Sequence, residues 1–402
     1  MILRDESKQI SLYCRCLGIY LVFPILGAIS IGALGSLLKV LALLPVGVWL
    51  LTRHRVKINV YFLVSILYVA WCALSLLWSV EIGNTLGRIM TQCSFLLLLA
   101  SVMGYRFSAK ELRYLKTCLI WSSRVTAVLV LVFADYLNGR IFFDGLIQED
   151  PNYLCVYFVF ALVEDISILL STNKGQIKTK LCAVLEMALY AYISLGTGSR
   201  GGMLAVLASA FIMFAFYKED GHSIRETLIK KLGIVLLVMV AVACIVPFVP
   251  ENIIGRFSIK EILASKGSGR YVIWSDGLRA FWESGFVRKL LGYGTATVLK
   301  IGELFEFARH SVMHNIFIET LIELGIVGLC LYVCHVFSFL HMAIKRKDLF
   351  SVASISGMIV LSVSLSLYAF KPYWNIMIYI LCTGNVLTNI SREESLQCEE
   401  CS

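Results

Sequence analysis

Charged residues are scarce in this chain: Asp, Glu, Lys and Arg make up 16% of 402 residues, against about 25% in soluble domains. That scarcity excludes a cytosolic enzyme and a disordered chain, which both need a charged surface. No DxD-like carboxylate motif is present, and no cysteine falls in the longest polar segment, residues 251–313. The first absence removes a common sequence sign of a carboxylate-held metal ion. The second removes a disulfide framework from that segment. An internal repeat is also lacking, which weighs against a transporter built from two related halves.

What is present is apolar. Hydrophobic residues reach 58% and mean hydropathy is +0.80. A membrane span needs about 20 apolar residues. Two short spans fit 17–51, and ten more fit 59–79, 86–104, 115–137, 152–171, 181–197, 202–217, 232–250, 314–341, 350–369 and 373–390. The reading is an all-α integral membrane protein of about twelve transmembrane helices. Residues 1–250 hold the first nine, 251–313 form one large loop, 314–390 hold the last three, and 391–402 form a tail. The first apolar run is too long for a cleaved signal peptide, so it is read as an uncleaved span.

The net charge of +9 follows the rule that Lys and Arg collect in cytoplasmic loops. With both termini cytoplasmic, the cytoplasmic segments hold 21 of 36 Lys and Arg. The short loops on the other face hold only Lys39, Arg140, Arg200 and Lys371. This pattern makes nucleic acid an unneeded partner and membrane lipid the expected one. The loop 251–313 has nine Lys and Arg against six Asp and Glu, and loops of that length are commonly functional or small domains. The tail carries Cys398-Glu-Glu-Cys401, half of a metal or redox motif, with no clear second half.

Chemistry concentrates on the face opposite the basic loops. His314 opens HNIFIETLIELGIVGL, where an imidazole can exchange protons with water near neutral pH; a helix-capping His is the plainer reading. GTGSRGG (196–202) sets Arg200 among small residues at the start of a helix, a favourable place for an anion. KGSGRYVIW (266–274) repeats a Gly/Ser-flanked arginine, Arg270, followed by Tyr271 and Trp274. Two guanidinium forks suit a diphosphate, and the histidine suits a general base. Other ionisable groups leave alternatives open. Arg124, deep in a span, either pairs within the bundle or contacts a phosphate. Arg88 lies nearer the outer end and can snorkel. Glu319 either orients His314 or lines an acceptor cavity. Tyr271 and Trp274 either stack on sugar rings or pack the loop onto the bundle.

Four segments in order resemble the bacterial O-antigen ligase and O-antigen polymerase superfamily: Asp-Pro-Asn (150–152), GTGSRGG, GRYVIW with LLGYGT (290–295), and HNIFIETLIELGIVGL (314–329). Lys371 and Trp374 fit the pattern more loosely. The resemblance covers roughly 150–390. It implies a membrane glycosyltransferase with a lipid-linked donor, acting at the periplasmic face of the bacterial inner membrane. The donor is an undecaprenyl-diphosphate-linked glycan, and the acceptor is lipid A-core in a ligase or a growing glycan in a polymerase. Direct attack by the acceptor would invert the anomeric centre, and the missing DxD-like motif points to chemistry without a metal; no cofactor is expected. His314, Arg200 and Arg270 are the expected catalytic residues. Arg88, Arg124, Lys371, Tyr271, Trp274 and Glu319 are the expected substrate contacts. A polysaccharide flippase would also explain the spans, without requiring the histidine and arginines on one face.

Overall fold

The computed structural model describes residues 9–30, 36–52, 55–171, 177–218, 224–265 and 268–386. Gly32, Gly35, Lys266, Gly267, the basic residues within 1–8, 53–54, 172–176 and 219–223, and the tail with Cys398 and Cys401 lie outside them.

Each of the twelve expected segments carries a helix. The first half holds α1 (Leu12–Val22), α2 (Leu37–Thr52), α3 (Val60–Leu74), α4 (Ile82–Met103) and α5 (Ala109–Phe133). Polar residues set the starts. Asn59 caps α3 through the amide of Phe62 at 2.8 Å. Ser108 and Glu111 form a reciprocal capping box on α5.

The chain then departs from an all-helical plan. The expected span to 137 ends at Phe133, and three short strands follow: β1 (Asp135–Leu137), β2 (Arg140–Asp144) and β3 (Gln148–Glu149). They pair antiparallel in the order β1-β2-β3. Asn138 and Gly139 make the first turn with positive φ of 51° and 76°, the backbone that a two-residue hairpin requires.

Helices resume as α6 (Pro151–Leu154), α7 (Val159–Leu170), α8 (Ile177–Gly196), α9 (Arg200–Phe216) and α10 (Ile224–Ile245). Five short helices span the large loop: α11 (Glu251–Gly255), α12 (Ile259–Ala264), α13 (Arg270–Glu283), α14 (Phe286–Leu291) and α15 (Val298–Leu304). The last three long segments are α16 (Ile316–Lys345), α17 (Leu349–Ser362) and α18 (Lys371–Gly384). α17 and α18 stop well short of the expected 369 and 390.

Among the described residues, six helices are long and apolar enough to cross a membrane: 60–78, 82–103, 109–133, 151–170, 177–196 and 316–345. Four shorter apolar helices accompany them. Large apolar side chains such as Leu51, Leu77, Val132 and Phe211 point outward. That exterior suits hydrocarbon and would be a liability in water. The chain is a mostly helical, multi-pass membrane protein.

Two hydrophobic cores result. The larger runs through the bundle, where α9 packs most extensively on α17. The smaller joins Ile273, Phe281, Val298, Phe307 and Met313 to Ile322 on α16. It seats the 268–313 segment on the end of the bundle. A backbone crossing fixes that seat. Gly325 breaks α16 with φ 68° and ψ −173°, and Gly292 has φ 74°. A Cβ on Gly325 would collide with the Leu290 carbonyl, and one on Gly292 with the Glu323 carbonyl. The Glu323 carboxylate accepts the amides of Ala296 (2.9 Å) and Val298 (3.1 Å). LLGYGT and HNIFIETLIELGIVGL are therefore one packed unit.

Candidate active site

His314 does not open its helix. Its φ is 48°, and Asn315 is the true cap of α16, accepting the amides of Phe317 (3.0 Å) and Ile318 (3.2 Å). The imidazole is thereby turned off the helix axis into a cavity of about 490 Å³. Its Nε2 lies 3.4 Å from Ser311 Oγ. Its Nδ1 is buried and has no hydrogen-bond partner among the described residues. Burial, and then the Arg270 guanidinium, hold the imidazole below its usual 6.5, with Asp150 pulling the other way.

The peptide preceding His314 is gripped from both sides. Trp274 Nε1 donates to the Met313 carbonyl at 2.9 Å. The Met313 amide donates to Glu319 Oε2 at 3.3 Å, and Ser366 donates to the same oxygen. Arg88 lies 4.0 Å from Glu319 and over the Tyr368 ring. Arg88 is thus half-buried, with its guanidinium in a polar cluster, and does not snorkel outward. Trp274 and Glu319 are spent on the loop that carries His314.

Four arginines line the cavity with His314: Arg140, Arg256, Arg270 and Arg309. Among the described residues, no Asp or Glu lines it. Arg140 Nε donates to the Thr197 carbonyl (2.7 Å), and Arg256 Nε to the Gly198 carbonyl (3.1 Å). The small residues of GTGSRGG therefore serve as a carbonyl rack for two neighbouring guanidinium groups. Burial lowers the pKa of Arg140, and the nearby Arg256 adds to the effect. Asp150, in the adjoining space, is the carboxylate that acts on Arg140, Arg270 and His314, and a cavity so rich in positive charge is costly unless an anion fills it. Arg270 sits at the first turn of α13, behind Gly269 with φ 79°.

Arg200 is placed differently from the expectation. It is not among the residues lining this cavity. Its Nε donates to the Arg256 carbonyl at 2.6 Å, one terminal nitrogen donates to Ser265 at 3.0 Å, and Glu261 lies 4.0 Å away. It ties α9 to the 256–265 segment. Arg124 pairs with Glu186 at 3.0 Å and stacks over Trp121, so the internal pair is what the structure holds. Lys371 lines a separate niche of about 150 Å³ with Lys39. Trp374 is buried, stacked on Phe95 at 4.5 Å. Tyr271 is exposed beside Arg270.

Arg140, Arg256 and Arg309 were not singled out from sequence. The only signal available was their position on the face opposite the basic loops, which they share with most of the nine cations of 251–313. Sequence offers no means of telling which of these converge.

Comparison with known proteins bears on this geometry. A family model described as O-antigen ligase matches residues 186–333, a stretch that contains His314 and three of the four arginines. A Rickettsia conorii protein provisionally named a polysaccharide ligase is 25% identical over 298 residues, 69% of this chain. The match spans 66% of that protein's own length. A chain from a solved peptidoglycan synthase complex is similar at a TM-score of 0.44 and 20% identity, covering 81% of this chain and 94% of that one. By its ordered motifs and the matched domain, the chain resembles the O-antigen ligase superfamily over residues 186–333.

Proposed function

We propose that the chain transfers an undecaprenyl-diphosphate-linked glycan to an acceptor sugar hydroxyl at the periplasmic face of the bacterial inner membrane, as an O-antigen ligase acting on lipid A-core, with both termini cytoplasmic. One observation carries the reading: a buried His314 Nδ1, unpartnered among the described residues, in a cavity whose described lining holds four arginines and no carboxylate. Such a cavity suits an anionic leaving group beside a base.

In this reading the acceptor hydroxyl gives its proton to His314 Nδ1 as its oxygen attacks the anomeric carbon. The bond from that carbon to the diphosphate oxygen breaks, and undecaprenyl diphosphate leaves with the electron pair. Arg270, Arg140, Arg256 and Arg309 stabilise the charge that develops there. Direct displacement inverts the anomeric centre. The arginines supply the cationic charge, so transfer proceeds without a metal or cofactor, and a chelator leaves the rate unchanged. Trp274, Glu319 and Arg88 position the His314 loop, and Arg200 positions Arg256. Tyr271 stacks on a sugar ring.

The test is the lipopolysaccharide pattern of a deletion strain complemented with wild type or His314→Ala. Loss of all O-chain, single repeats included, supports the ligase. Cores capped by one repeat without a ladder identify a polymerase. Near-normal ligation by an inserted His314→Ala protein removes the histidine from the mechanism. In liposomes, a lipid-linked glycan crossing with no new glycosidic bond would support a flippase.

A further inference from the structure

A second cavity, of about 1110 Å³, adjoins the first. One wall is the β2–β3 ledge with Phe142, and the other is α11 and α12. The two cavities share Arg140 and Arg256, so a ligand held by these arginines reaches both. Their linings differ in charge. Among the described residues, the ionisable groups lining the first are cations and histidines. In the second, the carboxylates of Asp144, Glu149, Asp150 and Glu261 oppose three cations, the third being Lys260. The amides of Asn138, Gln148 and Asn252 lie between them.

A phosphate entering the second cavity meets carboxylates, and a polyprenyl chain would strip water from charged groups at a cost of several kcal/mol. A sugar fits. Each hydroxyl both donates and accepts, as carboxylates, amides and cations together require, and the Phe142 ring offers a face for the apolar side of a pyranose. The volume lies above the 300–1,000 Å³ of ordinary small-molecule sites, which suits an oligosaccharide. The side chains of Asp144 and Gln148 are exposed and make no hydrogen bond or ion pair among the described residues.

We infer that this cavity, between the three-stranded sheet and residues 251–264, is the binding site for the donor's saccharide. The assignment to the donor rests on the diphosphate lying on Arg140 and Arg256, because the group directly joined to that diphosphate, other than the lipid, is the sugar. The donor then lies with its diphosphate on the arginines and its glycan along the sheet. The acceptor approaches from the Arg309–His310 rim of the first cavity.

The test uses the full-length protein in lipid nanodiscs and two probes. One is the oligosaccharide released by mild acid from the lipid-linked donor, and the other is sugar-free undecaprenyl diphosphate. The variant carries Gln148→Ala and Asp144→Asn, and Phe142→Leu serves as an independent variant. Losing the Gln148 amide and the charge of the Asp144 carboxylate is expected to weaken oligosaccharide binding about tenfold, with undecaprenyl diphosphate binding unchanged, which also certifies the fold. Oligosaccharide binding that neither variant alters, or that wild type lacks, overturns the inference. Oligosaccharide binding lost in both variants, in a wild type that fails to bind undecaprenyl diphosphate, would sustain a saccharide site while overturning the donor reading.

Discussion

The indole N–H of Trp274 donates to the carbonyl of Met313 at 2.9 Å, one residue before the candidate base. With Glu319 accepting the amide of the same residue, the peptide that leads into His314 is held by both α13 and α16. The left-handed backbone of His314 needs such support, since a non-Gly residue with positive φ is uncommon and held by its surroundings.

Trp274→Phe keeps an aromatic face and removes the hydrogen bond. The buried carbonyl left behind costs roughly 1–3 kcal/mol. If Trp274 positions the loop, kcat falls about tenfold with KM little changed. A risen KM with unchanged kcat would instead mark the indole as a sugar platform. Steady-state transfer with purified donor and acceptor separates the two.

The pH profile follows from His314. Its folded pKa lies below the usual 6.5, so the neutral, proton-accepting imidazole persists as pH falls through that value. The acid limb of kcat/KM is expected to have its midpoint below 6.5. Arg270→Gln removes the cation that contributes to the depression, so the midpoint of its residual activity should move upward. A wild-type midpoint above 6.5 would contradict a buried base beside Arg270.

Arg200 and Arg309 should fail in different ways. Arg309→Ala removes a cavity cation and is expected to weaken donor binding about tenfold, in line with a lost charged hydrogen bond of roughly 1.5–3 kcal/mol. Apart from the cut after residue 309, which the substitution deletes, its proteolysis pattern should stay that of wild type. Arg200→Ala releases the Arg256 carbonyl and Ser265, so cleavage after Arg256 or Lys260 should accelerate together with loss of transfer. Lost transfer with an unaltered cleavage rate would return Arg200 to direct contact with substrate.

Gly325→Ala combines a conformation essentially confined to glycine with a collision against the Leu290 backbone. The expected loss is about 3 kcal/mol or more, read as a lowered midpoint of thermal unfolding in detergent. An unshifted midpoint would mean that α14 yields without cost.

Local pattern made the helices legible. Each long apolar run is helical because a backbone in hydrocarbon must bond within its own segment, and caps such as Ser108, Asp348 and Asn315 are set by neighbours a few residues away. His314 and Arg270 were legible for a related reason: each stands in a short motif whose glycines or cap mark a break between elements. The small sheet was not legible, because β1 is only three residues long, directly abuts an apolar run, and pairs with residues beyond a turn. Nor was the true cation set. Arg140 and Arg256 meet through the carbonyls of Thr197 and Gly198, groups present in every peptide and carrying no side-chain signature. Arg200 left the cavity because Arg256 and Ser265, more than fifty residues on, offered acceptors its fork could reach. Composition and hydropathy determined that this is a membrane bundle, and the loop charges set the candidate histidine and arginine motifs on one face. Which cations share the cavity with His314 was decided only by the tertiary packing of the 251–313 segment, because charges on one face converge only where the backbone beneath them is folded to bring them together.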